Sequence, residues 1–148
     1  MDRVQKAVSD RVATENWAEV ELREIHHLYS ALAAADSPDS LEALKRGLFL
    51  TWFECAEPSY LTGIRNLDSA ASVALVDRLE KVLTALRADR ELTEMLAYYF
   101  RVSEWCLDSF HIGAASRTEA GRSPSLKFLT DRGLMGDYFL SLRPNATQ

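Results

Sequence analysis

Nine consecutive residues constrain the fold most: Gly47, Leu48, Phe49, Leu50, Thr51, Trp52, Phe53, Glu54 and Cys55. A helix drawn through them is apolar on nearly every side, and such a helix has to be surrounded by protein. Pro38 lies before this stretch, and Pro58 disfavours α conformation at Glu57. The spacing therefore predicts a helix over about 41–56 at the centre of the molecule, with Trp52 deep in the core. Six glycines and four prolines are too few for the turns of an all-β chain of 148 residues. The expectation is an all-α fold: a compact bundle of five to six mostly antiparallel helices around this central one. Residues 1–148 read as a single helical domain, without an internal repeat.

Periodicity and caps place the other elements. Residues 2–12 read as a short polar helix, and Thr14 as the cap of a second one running to about residue 35. On that helix Trp17, Ile25, Leu28, Leu32 and Ala35 share a face, widened by Leu22 and Tyr29, while Arg23, His26 and Ser30 point away. Residues 36–40 break the chain, with Ser37 or Ser40 as the next cap. Residues 59–67 contain Tyr60, Leu61, Ile64 and Leu67, so this loop is expected to fold back onto the core. Asp68 caps a helix to about residue 88 with a stripe of Leu75, Leu79, Val82, Leu83 and Leu86. Asp89 caps the next, over 91–110, where Met95, Leu96, Tyr99, Phe100, Val102, Cys106, Leu107 and Phe110 form a wide apolar arc. Small and polar residues predict a mobile loop around 113–125. A short helix follows from Ser123-Pro124, broken at Gly133 and Gly136, and the chain returns to an apolar turn or helix over 137–142.

The formal charge of -5 argues against nucleic acid and against an anionic membrane surface as partners. Lys45 and Arg46 read as ordinary helix decoration. No run approaches the apolar length of a membrane span, and residues 1–10 lack the apolar segment of a secretory leader. The expected location is cytoplasmic. Cys55 and Cys106, both inside apolar helical stretches, read as two buried, reduced thiols, with a disulfide between two helices as the lesser alternative.

No nucleophile motif, phosphate loop, dinucleotide motif or zinc spacing occurs, and no cofactor is expected. Three constellations remain. Glu54 and Glu57 sit in a last helical turn, where the dipole disfavours anions. With Tyr60 and Arg65 they outline a polar pocket, or more simply an ion pair that pins the loop. Glu24 and His27 form an E-x-x-H pair, with Glu21 on the same helix. Carboxylate-bridged metal bundles use two such pairs, and here the second would be Asp108 with His111. Tyr98 and Trp105 lie at the boundary of an apolar arc, where aromatic side chains anchor protein partners. The balance favours a non-enzymatic helical protein-interaction protein: an adaptor, a regulatory subunit or an inhibitor-type binder. The alternatives are a carboxylate–histidine metal-binding bundle and a small-molecule-binding bundle.

Overall fold

A computed structural model of the chain describes residues 19–57, 64, 66–108 and 132–141. Among these residues there are five helices and no strand: α1 (Glu19–Ala34), α2 (Ser40–Ala56), α3 (Ser69–Thr84), α4 (Arg90–Asp108) and α5 (Gly133–Ser141). The chain is all-α. It divides into two units, Trp17–Ser125 with α1 to α4, and Met1–Asn16 with Leu126–Gln148, which carries α5. The segments expected to form the first helix (2–12) and the mobile loop (113–125) lie outside the described residues.

In the larger unit α2 packs against α1, α3 and α4, the position its all-round apolar sequence demands. Every residue from Ala43 to Trp52 is buried. The Trp52 ring stacks on Tyr99, with centroids 4.6 Å apart, and meets the edge of Tyr98 at 5.8 Å. Phe49 stacks on Phe53 at 4.9 Å. From α4, Met95, Leu96, Ala97, Tyr98, Tyr99 and Phe100 are all buried in succession. The close approach of α1 and α3 depends on Gly47. A Cβ there would stand 2.6 Å from Leu75 Cδ2 and 3.2 Å from Tyr29 Cβ.

The caps follow the sequence at two of three places. Asp68 accepts the Ala70 N–H at 2.8 Å, and Asp89 accepts the Leu92 N–H at 2.8 Å. At the start of α2 the cap position belongs to Asp39, whose side chain makes no capping bond. Ser40 serves the turn instead: its hydroxyl donates to the Ala35 carbonyl and accepts the Ser37 N–H at 3.0 Å. The α3 helix ends at Thr84, before residue 88, in a Schellman closure. Leu86 N–H donates to Leu83 O at 3.1 Å, and Arg87 N–H to Val82 O at 2.9 Å. Leu86 occupies the left-handed position at φ 55°, so it leaves the apolar stripe it would join in a longer helix.

Four further expectations are corrected. The buried face of α1 is Leu22, Ile25, His26, Tyr29, Ser30 and Ala33, whereas Leu28 is exposed. The face is rotated because His26 finds a polar partner inside. Lys45 and Arg46 are buried rather than decorative. The α5 helix begins at Gly133, where a break is expected, but continues through Gly136, its Met135 and Phe139 being buried, which outweighs a glycine penalty of about 1 kcal/mol. Finally, Cys55 and Cys106 are not two thiols but one disulfide, with Cα atoms 5.8 Å apart. Residue spacing alone could not reveal that the end of α2 and the end of α4 come within bonding reach.

Candidate functional site

His26 is fully buried on α1. Its Nε2 lies 2.9 Å from Thr51 Oγ1 on α2, and that hydroxyl donates to the Gly47 carbonyl at 3.0 Å. The Thr51 proton is therefore committed, so His26 Nε2 must be the donor and Nδ1 the bare acceptor. Nδ1 has no hydrogen-bond partner. Ser72 on α3 completes the cluster, its Oγ 3.4 Å from Thr51 Oγ1. Burial, helped by the charge of His27 and opposed by Asp68, holds the His26 pKa down to about 4. The cluster ties three helices together. It is not a base–hydroxyl pair for catalysis, because the proton runs from histidine to threonine and no solvent reaches the ring. Sequence reasoning missed it, although the spacing 22, 26, 29, 33 is itself a helical stripe.

Lys45 and Arg46, the buried cations among the described residues of the larger unit, are held by carboxylates. Lys45 Nζ reaches Asp89 at 2.7 Å and Glu91 at 2.9 Å, linking α2 to the first turn of α4. Arg46 Nε donates to Glu42 at 2.8 Å, but its two terminal guanidinium nitrogens have no hydrogen-bond partner. Burial pushes the neighbouring Tyr29 hydroxyl up to about 12, and the Arg46 charge pulls the other way.

Of the expected polar pocket, Glu54 and Glu57 are described, while Tyr60 and Arg65 lie outside the described residues. Glu54 Oε2 accepts the Leu67 N–H at 2.8 Å. This bond supplies the positive counterpart that a carboxylate at a helix C-terminus needs. Together with buried Ile64 and Leu67, it fastens the residues just before α3 to α2. The backbone of Glu57 closes α2, donating to Phe53 O at 3.0 Å.

Of the possible metal ligands, His27 sits with its Nε2 2.7 Å from Asp68 Oδ2. The Ala70 N–H is the main cause holding the Asp68 carboxyl below its usual range. Glu24 lies on the exposed side of α1. The side chains of Glu21 and Asp108, and all of His111, lie outside the described residues. Among the described residues no three His, Cys, Asp or Glu side chains converge as a metal site would require.

Of the two aromatic anchors, Tyr98 is only 7% exposed and carries the Arg101 guanidinium over its ring, 5.5 Å from the centroid. The Trp105 side chain lies outside the described residues, two positions beyond Ser103, where α4 departs from helical geometry. No described helix is long and apolar enough to cross a membrane. Compared with known proteins, the chain matches no family, no curated protein and no solved structure.

Proposed function

We propose that this chain is a non-enzymatic helical protein that works by binding another protein, as an adaptor, regulatory subunit or inhibitor-type binder. The observation that supports it best is Leu86, which is 91% exposed while held at φ 55°. A β-carbon in that conformation costs roughly 1–2 kcal/mol, and a leucine in water contributes nothing to the core. Local conflicts of this kind concentrate at functional positions. Val73 and Val102 are further large aliphatic residues exposed by about half. By contrast Glu54 and His27, which chemistry would need free, are occupied in structural bonds. Tyr98 enters the reading as the support beneath Arg101, and Trp105 remains a candidate anchor. A net charge of -5 favours a protein partner over nucleic acid or an anionic bilayer.

The location proposed is cytoplasmic. The Cys55–Cys106 disulfide then has to be a bond that forms and opens, since such bonds are rare in reducing compartments unless transient.

Quantitative affinity capture with the parent protein, Leu86→Gly and Trp105→Ala tests the reading. Leu86→Gly relieves the backbone and removes only an exposed side chain, so it separates binding from folding. The expected result is a partner retained by the parent and lost from Leu86→Gly in a fully folded state. Equal recovery by all three proteins, or stoichiometric metal that disappears in His27→Ala, would overturn it.

A further inference from the structure

Where the α1–α2 turn meets the last turns of α3, a cavity of about 230 Å³ opens. Its walls include Leu41, Leu44 and Val82, with Asp36, Arg78 and Arg87 among the polar lining. Leu44 and Val82 are buried and form the inner wall, whereas Asp36 and Arg87 are exposed at the mouth. Arg87 is fixed at its root by the bond from its N–H to Val82 O.

The two arginines are unlike the other described cations of this unit that touch the core. Lys45 and Arg46 each have a carboxylate within 2.9 Å. Among the described residues, Arg78 and Arg87 make no side-chain hydrogen bond or ion pair, with Asp36 or with any other. With Asp36 counted, the mouth keeps one net positive charge beside an aliphatic wall. A guanidinium is an open fork of donors shaped for an oxyanion, and two stand at one cavity.

We propose that this cavity binds a small aliphatic monocarboxylate. The carboxylate sits between Arg78 and Arg87, and the hydrocarbon lies against Leu41, Leu44 and Val82. The size fits a body of about four to six carbons, since the cavity falls below the usual range for drug-sized ligands. The single net charge selects a monoanion over a doubly charged phosphate, whose hydration the aliphatic wall could not replace. The proposal goes beyond the interaction reading and does not depend on it: partner capture can fail while this site still binds.

The test is a titration of the full isotope-labelled chain followed by amide NMR. The probes are isocaproate, isocaproamide and inorganic phosphate, along with a tripeptide ending in leucine and its C-terminal amide. Isocaproate is expected to shift residues 36–44 and 78–87 saturably, with Kd on the order of 1 mM. The amide and phosphate bind at least about tenfold more weakly. Arg78→Gln and Arg87→Gln each weaken isocaproate about fivefold or more, at unchanged melting temperature because neither arginine holds a structural partner. A leucine-terminated peptide that matches isocaproate, with its amide inert, assigns the carboxylate to a chain terminus. A free acid that binds alone assigns it to a small molecule. Equal binding of acid and amide, stronger binding of phosphate, shifts elsewhere in the chain, no saturation, or affinity untouched by both substitutions would each overturn the proposal.

Discussion

At the residue scale the most consequential group is His26, whose hydrogen bond to Thr51 needs a proton on Nε2 while burial keeps the ring neutral. The surrounding groups are Thr51, Ser72, His27 and Asp68, and burial outweighs the one carboxylate among them. The folded-state pKa is about 4 against 6.5 for an ordinary histidine. Between those values the unfolded chain binds a proton that the folded chain refuses. The contribution to stability is therefore complete above about pH 6.5 and is lost as pH falls toward 4. Taking the protein from pH 7 to pH 5 should remove about 2 kcal/mol through this group alone. Urea melts at both pH values check it, with His26→Gln as reference. The variant should be less stable at neutral pH and lack most of the slope, and equal slopes would exclude the mechanism. Arg46 is the second unusual residue. Its Glu42 bond serves Nε only, so substituting Glu42 by Gln would leave a buried guanidinium without its counter-charge.

Helix ends and faces show what the sequence could and could not reveal. The central position of α2 was legible because eight of the nine residues at 47–55 are neither charged nor strongly hydrated, and no other surroundings suit such a helix. Asp68 and Asp89 were legible because capping is a local bond between near neighbours. The face of α1 was not, since periodicity scores histidine and serine as outward residues, and only Thr51 on another helix makes His26 an inward one. The same limit hid the Lys45 bridge to Asp89 and Glu91, more than forty positions away. Of the candidate site, the Glu54 tie was legible as an anion needing compensation. Its partner, a backbone N–H, carries no side-chain signature. The end of α3 was misplaced because leucine is a poor closing residue, glycine being usual there. That gives a prediction: Leu86→Gly should stabilise the fold by about 0.5–1 kcal/mol, the relief of φ 55° exceeding the added freedom of the unfolded chain. Denaturant midpoints measure it, and a loss of stability would mean that Leu86 packs in some way its exposure conceals.

For the whole molecule, the bond between Cys55 and Cys106 closes a loop with a sequence separation of 51. Constraint of the unfolded chain by a loop of that length is worth about 4 kcal/mol on the chain-entropy account. Guanidinium melts with and without reductant should differ by that order, and the Cys55→Ser, Cys106→Ser double variant should match the reduced protein. Coincident melts would show that the cross-link constrains nothing. Alkylation of thiols in freshly lysed cells reports the state in the compartment where the chain works, and so bears on its cytoplasmic placement. The bond also changes what a cut does. All of α3 lies between the two cysteines, so the backbone from residue 56 to 105 belongs to a covalent ring with the remaining chain as its two tails. A protease that opens this ring once sheds no fragment. The nicked protein keeps its full mass on a non-reducing gel and falls into two pieces only when thiol is added, which makes limited proteolysis a direct reading of whether the ring is closed.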